Sequence, residues 1–360
     1  MQSSIKEIRN PSKKRGFLFW SLLLFLVLII TIIVAVAVGS TFIEPGVVYK
    51  VLINKLSNGY LFESLQNINI ENIIWEIRLP RVILGAISGA GLAVCGVLMQ
   101  CVTKNPIAEP YILGISSGAS FGAVSIIVFG SMSTLGITTI TGGAFIGSIL
   151  SGILVFAIGT QMGRTTSTTR LVLSGMAIST IFSSLTNLVI YSAKNSNQVK
   201  NALFWTIGSL GGAKWSVLFT PFIVLVIVIL ISFIMSKSLD ILLLGDDSAI
   251  ILGINVKLVK SIILILATLL TSTLVAITGA IGFIGLVVPH VCRTISGSDH
   301  KKLIVLSSLV GAIFLIICDV VARGLFPPIE IPIGIITSLI GGPFFLYLIS
   351  KKNYSFGGKD

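Results

Sequence analysis

The side chains of this chain that could do chemistry are few, and two arginines stand out among them. Arg78 and Arg81 flank Leu79-Pro80 directly before an apolar run long enough to cross a membrane. Because guanidinium groups at a membrane edge are costly to desolvate, we expect both to face water and a partner. The identity of that partner therefore bears directly on function.

Few other side chains are arranged for chemistry. The chain lacks a phosphate-binding loop of the form G-x-x-x-x-G-K-[ST], because its single Gly-Lys pair, Gly358-Lys359, precedes Asp. The cysteines show no metal or redox spacing, and unpaired cysteine behaves as a small buried apolar residue. We expect no catalytic residue, no metal site and no cofactor, with packing roles for the cysteines and interfacial positions for the histidines. These residues are Cys95, Cys101, Cys292, Cys318, His290 and His300.

The composition indicates a membrane protein. Of 360 residues, 54% are hydrophobic and 11% are charged, whereas soluble domains carry about 25% charged residues. Apolar runs of about 20 residues recur along the whole length, which predicts a polytopic all-α membrane protein. The net charge of +12 could favour nucleic acid, but the cations lie in short loops. The positive-inside rule explains that distribution, so we expect a lipid bilayer and no nucleic acid as a partner.

Ten transmembrane helices are predicted in one bundle over residues 17–350, between cytoplasmic tails at 1–16 and 351–360. The first apolar run exceeds the roughly 7–15 residues of a signal peptide, so we interpret it as an uncleaved span. The run at 261–289 is long for one span and short for two, which favours a tight hairpin reversing near Gly279, Gly282 and Gly285. The predicted spans are 17–38, 82–101, 111–130, 139–160, 171–191, 215–235, 258–278, 280–295, 303–322 and 331–350.

Charge counting predicts that both termini are cytoplasmic. With the N-terminus inside, 17 of the 25 Lys and Arg residues fall on the cytoplasmic side, as the positive-inside rule requires. Arg78, Arg81 and Arg323 then lie outside, where the rule disfavours them, so they need another reason to be there. The remaining outer cations are Lys50, Lys55, Lys194, Lys200 and Lys214.

Residues within the predicted spans favour packing over proton transfer. Asp319 lies at an outer end four residues before Arg323, and we expect a local ion pair there rather than a proton relay. Small residues repeat along two spans, and this spacing predicts close helix packing. They are Gly85, Ser88, Gly89, Gly91 and Gly96 in one span, and Gly142, Gly143, Gly147 and Gly152 in another.

Two predicted cytoplasmic segments are more informative. In the segment 105–111, Pro110 suits the first turn of the next helix and Glu109 suits its N-terminal dipole, so structural and functional roles are both open. In the segment 242–253, Asp246 or Asp247 could cap a short helix that Gly253 ends. Such a helix exposes apolar surface, which fits either a protein partner or packing beneath the bundle.

Five blocks of sequence carry a resemblance to a known family. They are Arg78-Leu79-Pro80-Arg81; the loop 105–110 leading into Leu113-Gly114-Ile115-Ser116-Ser117-Gly118-Ala119; Gly282-Phe283-Ile284-Gly285-Leu286-Val287-Val288-Pro289-His290; Asp319-Val320-Val321-Ala322-Arg323; and Ile331-Pro332-Ile333-Gly334-Ile335-Ile336-Thr337 with Gly341-Gly342-Pro343-Phe344-Phe345. In this order, from about residue 40 to residue 350, they resemble the FecCD-type permeases. These are the membrane subunits of ABC importers for iron–siderophore complexes, haem and cobalamin.

The resemblance implies a type II importer permease in the plasma (inner) membrane of a bacterium. Ten-span subunits would pair as a homodimer or with a paralogous permease, and the translocation pathway would lie at their interface. Two cytoplasmic ABC ATPase subunits would supply the energy, which fits the missing phosphate-binding loop. An extracytoplasmic binding protein would deliver the chelate, so the permease itself would be a transporter subunit and not an enzyme.

The resemblance also implies a docking role for Arg78, Arg81 and Arg323. They would bind surface glutamates of the binding protein, and arginine suits carboxylates because its planar group forms two parallel hydrogen bonds. The alternative is that Arg81 and Arg323 snorkel or pair locally with Glu76 and Asp319.

On the cytoplasmic side, the resemblance implies an ATPase-coupling role for residues 245–253, which we name the coupling segment. Family members often have Arg where this chain has Ile250, so the detailed contacts do not transfer. Thr168 and Thr169 match the region of the family's cytoplasmic gate, although they could equally cap a helix. The coupling residues are Gly245, Asp246, Asp247, Ser248, Ala249 and Gly253.

Two other function classes are weighed against this one. A secondary transporter that works on an ion or proton gradient without ATPases predicts buried carboxylates or broken spans at mid-membrane. An intramembrane enzyme needs clustered His, Asp or Glu, or a nucleophile with a base. The sequence offers little of either. It does not identify the chelate, because specificity would lie largely in the binding protein.

Overall fold

The computed structural model describes residues 11–39, 43–57, 68–130, 137–160 and 168–350. Within these ranges every regular secondary-structure element is a helix. One isolated β-bridge joins Phe326 and Ile329. The helices are α1 (Pro11–Ala37), α2 (Pro45–Leu56), α3 (Ile68–Asn72), α4 (Leu79–Thr103), α5 (Ile115–Phe129), α6 (Ile137–Thr160), α7 (Thr168–Tyr191), α8 (Ser196–Ile207), α9 (Trp215–Ile234), α10 (Ser236–Leu242), α11 (Asp246–Ile251), α12 (Val256–Thr278), α13 (Ile284–Ser296), α14 (His300–Gly324) and α15 (Ile333–Ser350).

Each predicted span has a helical counterpart, and the prediction of an all-α polytopic protein is confirmed. Among the described residues, seven helices are long and apolar enough to cross a membrane, and three more are apolar but shorter. The shorter ones, α5, α13 and α15, correspond to the predicted spans 111–130, 280–295 and 331–350. The count of ten crossings therefore stays a prediction.

Asparagine and aspartate side chains fix where several helices begin. The Asn195 side chain accepts a hydrogen bond from the backbone N–H of Gln198 at the start of α8. Asn255 does the same for α12, and Asp299 for α14. A side-chain oxygen at this position satisfies one of the N–H groups that a helix leaves unpaired at its N-terminus.

The central helix is α4, and most of its residues are buried among α9, α12, α13 and α14. The predicted start of this span is wrong. A π-helical turn (Ile73–Arg78) joins α3 to α4, so helical structure is continuous from Ile68 to Thr103. Arg78 and Arg81 therefore lie inside this helix, not at the edge before it.

Close glycine contacts bring the core helices together, as the small-residue spacing predicts, except that Gly142 of the predicted set has no neighbouring atom within 4 Å of an added Cβ. A Cβ atom on Gly89 would overlap the carbonyl oxygen of Gly311 in α14, and one on Gly96 would overlap that of Gly285 in α13. The helices α5 and α6 meet in the same way, through Gly118 against Gly147 and Gly122 against Gly143. Absent side chains let the backbones approach, which is the main route to tight packing in a lipid environment.

The chain reverses between α12 and α13 near the predicted place. Gly279 has φ +68°, a conformation that glycine adopts without steric cost. The hydroxyl of Tyr111 pins this reversal, because it donates to the carbonyl of Ile281 (2.6 Å) and accepts from the N–H of the same residue (3.0 Å). Gly285 was expected in the turn, but it lies in α13, where it contacts Gly96.

The segment before α5 differs from the expected single span at 111–130. A 3₁₀ turn (Pro110–Leu113) comes first, and Gly114, with φ +67°, separates it from α5. Pro110 thus opens this short turn instead of an α-helix.

Candidate functional site

Four charged residues form a network at the end of the bundle that the charge count assigns to the outside. The Arg81 Nε and Nη2 atoms lie 3.0 Å and 2.9 Å from Asp319 Oδ1, and its Nη1 lies 2.8 Å from Glu330 Oε2. Arg323 Nε lies 2.9 Å from Asp319 Oδ2. We call Arg81, Asp319, Arg323 and Glu330 the outer charge network. It joins the start of α4, the end of α14 and the loop that precedes α15.

Two arginines also hold the C-terminal end of α1. Arg78 Nη1 donates to the carbonyls of Val36 (2.9 Å) and Ala37 (2.8 Å). Arg323 donates to the carbonyls of Ala35 (3.1 Å) and Val38 (3.0 Å). The last carbonyls of a helix have no partner within it, and a cation there also interacts favourably with the helix dipole. Arg78 and Arg323 therefore clamp α1 against α4 and α14.

The structure brings the three predicted docking arginines to one place but buries all of them. The expected local pair of Arg323 with Asp319 is confirmed. The expected pair of Arg81 with Glu76 is wrong, because Glu76 is exposed and Arg81 contacts Asp319 and Glu330 instead. The Glu330 side chain is 44% exposed. It was missed because it lies 249 residues from Arg81 in the sequence, and its local context carries no signal.

The coupling segment contains the short helix α11, as predicted from its sequence. Gly245, with φ +113°, precedes the helix, and Gly253, with φ +82°, follows it. Ala249 is fully buried, whereas Ile251 is 85% exposed. Its neighbours Ile250 and Leu252 are also exposed, so the segment presents an apolar surface away from the bundle.

Asp246 does not cap α11 but forms two ion pairs. Its carboxylate lies 2.6 Å from Lys260 Nζ on α12 and 2.9 Å from Lys104 Nζ, directly after α4. Partial burial raises the pKa of the Asp246 carboxyl, but the contacts with Lys260 and Lys104 lower it by more, so its pKa lies below the ordinary range. The carboxylate therefore stays charged at physiological pH.

The cysteine and histidine side chains, which could in principle do chemistry, lie in packing contacts. All four cysteines are buried, as expected from their sequence context. His300 is buried within the protein, with its Nδ1 2.7 Å from Asp240 Oδ1, and its position at the membrane interface stays a prediction. His290 packs edge-on against Phe344. In the part of the chain that the structure describes, no three His, Cys, Asp or Glu residues come together as a metal site.

A cavity of about 480 Å³ with a partly polar lining lies between α5, α7, α8 and the reversal after α12. We call it the recess. Its lining carries hydroxyl and amide groups without an acidic or basic side chain, and sequence reasoning missed it because its members come from separate helices. The lining residues are Tyr111, Ser116, Ser117, Ser120, Ser179, Ser183, Thr186, Asn187, Ile190, Leu203, Thr206, Ala280 and Gly282.

Helix α7 contributes to the recess and also presents an apolar face outward. Leu173, Met176, Ile181 and Leu188 are exposed along it. The predicted gate residues lie at its start, where Thr168 is the first helical residue and Thr169 is exposed. The preceding residues 161–167 lie outside the described ranges.

The long apolar helices of the described ranges define a helical membrane protein. The chain belongs to the FecCD transport family, whose model matches residues 27–351. It is accordingly a permease subunit of the ABC importer family that includes carriers of iron chelates, haem and cobalamin.

Several curated relatives are similar over most of their length. The cobalamin import system permease protein BtuC of Halobacterium salinarum is 39% identical, over 78% of this chain and 74% of that protein. The hemin transport system permease protein HmuU of Yersinia pestis is 37% identical, over 81% of this chain and 88% of that protein. The Fe(3+) dicitrate transport system permease protein FecD of Escherichia coli is 38% identical, over 78% of this chain and 85% of that protein.

Solved structures show the same fold. An ABC transporter assigned to the metal-chelate type, in an inward-facing conformation, matches with a TM-score of 0.79 and 30% identity over 92% of this chain and 98% of that one. PsaBC from Streptococcus pneumoniae, in complex with Fab, matches with a TM-score of 0.52 and 20% identity over 79% of this chain and 96% of that one. The second likeness concerns the fold alone.

Proposed function

We propose that this chain is the ten-span permease of an ATP-driven importer that moves an iron(III)–siderophore complex, or haem or cobalamin, across the plasma (inner) membrane. The observation that carries the proposal is the recess, because its uncharged hydroxyl lining opens beside the exposed face of α7. A lining without charges offers a bulky chelate weak contacts, so passage does not end in tight binding. Uptake by the reconstituted transporter tests this function.

A second permease subunit, identical or paralogous, covers the apolar face of α7 in this proposal. The two recesses then face each other across the subunit interface and form the translocation pathway. Thr168 and Thr169 lie at the end of α7 that the charge count assigns to the cytoplasm, where a gate would close that pathway. The N- and C-terminal tails lie on the same side.

Two cytoplasmic ATPase subunits bind the coupling segments of the permease pair. The exposed Ile250, Ile251 and Leu252 supply the apolar contact, and the missing phosphate-binding loop means that ATP is hydrolysed in those partners. Nucleotide binds the transporter states with different affinity, and this difference drives alternating access.

An extracytoplasmic binding protein docks on the outer face through acidic side chains. Of the three arginines predicted to dock the binding protein, Arg81 has the ion-pair partner that another carboxylate can replace most easily, because Glu330 is partly exposed. A carboxylate of the binding protein can take the position of Glu330, while Arg78 and Arg323 hold the docking surface through α1.

Replacing Arg81 by Gln should weaken binding of the binding protein by about 10-fold to 100-fold, since a hydrogen bond to a charged group contributes about 1.5–3 kcal/mol. Arg81→Lys should weaken it less, because the charge remains but the bidentate geometry is lost. Surface plasmon resonance on permease in nanodiscs measures the affinity.

Lys214→Gln is the matched control, because Lys214 is an exposed cation that the charge count also places outside. It should change the affinity less than twofold. A well-folded Arg81→Gln variant with parental affinity would show that Arg81 does not dock the binding protein.

A further inference from the structure

We infer that Asp246 is a positioning residue that ties the coupling segment to α4 and α12, so that movement of α11 is passed to both core helices. This inference rests on the proposed function, because it assigns to one side chain the link between the ATPase contact and the pathway.

The geometry of Asp246 suits such a link. It is the first residue of α11, and its two carboxylate oxygens face different helices, with Lys260 Nζ 2.6 Å from Oδ2 and Lys104 Nζ 2.9 Å from Oδ1. Lys104 directly follows α4 in a left-handed conformation with φ +48°. Lys260 lies near the start of α12.

Among the described residues, α11 has few other attachments. Ala249 is its one buried residue, and the carbonyl of Ala249 accepts a hydrogen bond from the N–H of Ile254 (2.9 Å). A cavity of about 660 Å³ lies beside the segment, and its lining includes Asp246, Asp247 and Lys260. Few packing contacts among the described residues therefore hold α11, and the two ion pairs add its contacts to α4 and α12.

The pair with Lys260 differs from an ordinary surface ion pair. The Lys260 residue is 2% exposed, and a buried ammonium without its partner is strongly disfavoured. A displaced coupling segment must therefore pull α12 along or leave this charge unpaired. Exposed ion pairs lack this property, because water replaces the lost partner.

Both tethered helices lead to functional surfaces. Helix α4 runs from Lys104 through the core to Arg81 in the outer charge network. Helix α12 runs from Lys260 to the reversal at Gly279, next to which Ala280 and Gly282 line the recess. One carboxylate thus connects the proposed ATPase contact to the docking surface and to the pathway.

The test uses the complete importer in proteoliposomes, with uptake and ATP hydrolysis measured on the same preparation. Asp246→Asn should lower the amount of substrate transported per ATP hydrolysed by fivefold or more, because movement of α11 is no longer passed to α4 and α12. Asp246→Glu should restore much of the ratio. Lys237→Gln, which removes an exposed charge of α10 outside the coupling segment, should match the parent.

If Asp246→Asn transports as much substrate per ATP hydrolysed as the parent does, the inference is overturned. If that variant does not assemble with the ATPases, Lys104→Gln decides, because it removes the more exposed partner and leaves the Lys260 pair; an unchanged ratio there would also overturn it. Failure of the proposed function gives a different result, since the unmodified chain would then show no ATP-dependent uptake at all.

Discussion

Replacing Asp319 by Ala should lower the free energy of unfolding by about 3–5 kcal/mol, the largest stability effect that we expect from one polar substitution in this chain. The Asp319 residue is 2% exposed and contacts both Arg81 and Arg323. Its removal leaves two buried guanidinium groups beside each other, with Glu330 contacting Arg81 alone. The melting temperature in detergent should fall by on the order of 10 °C.

A neutral pair at the same positions separates charge from packing. Asp319→Leu combined with Arg323→Met removes one buried cation with its anion, and it should recover part of the lost stability. Glu76→Ala, at an exposed carboxylate of the preceding π-helical turn, should leave the melting temperature unchanged. An Asp319→Ala variant that melts within 2 °C of the parent, about the effect of a minor surface change, would mean that the network carries little stability.

Replacing Gly96 by Ala should destabilise the bundle by about 3 kcal/mol, the upper end for overpacking of a core. The new Cβ atom would overlap the carbonyl oxygen of Gly285. Because that atom belongs to the backbone, no side chain can turn away to make room, and α4 and α13 must separate. The yield of monodisperse protein in size-exclusion chromatography and its melting temperature report the loss.

Gly142→Ala is the matched control for Gly96→Ala. A Cβ atom on Gly142, within α6, meets no other atom within 4 Å, and alanine favours a helix over glycine. This variant should be as stable as the parent or slightly more stable. Equal melting temperatures for the two variants would contradict the close contact of α4 with α13.

The amino-acid pattern was sufficient for features that depend on neighbouring residues. Apolar runs placed every long helix, since burial in lipid requires about 20 apolar residues wherever a helix crosses. Glycine spacing likewise predicted close packing, and Gly89 and Gly96 contact Gly311 and Gly285. The coupling segment was recognisable as a short helix from Asp246 and Gly253.

Features that depend on contacts between distant residues could not be predicted. Glu76 was the local partner considered for Arg81 as an alternative to docking, but Glu330 reaches Arg81 from a loop far along the chain. Asp246 or Asp247 was predicted to cap a short helix, because no local pattern shows that Lys104 and Lys260 converge on Asp246. The start of α4 was missed for another reason, since the mixed polar and apolar segment before Arg78 continues the helix through a π-helical turn.

The central claim is that this chain works as the permease of an ATP-driven importer, and uptake into proteoliposomes tests it most directly. The chain is reconstituted with its two ATPase subunits, with ATP on their side and a binding protein loaded with an iron(III)–siderophore complex, haem or cobalamin on the other. Substrate should accumulate only when ATP, ATPases and binding protein are all present. Uptake by this chain alone, driven by a sodium or proton gradient without ATPases, would contradict the claim.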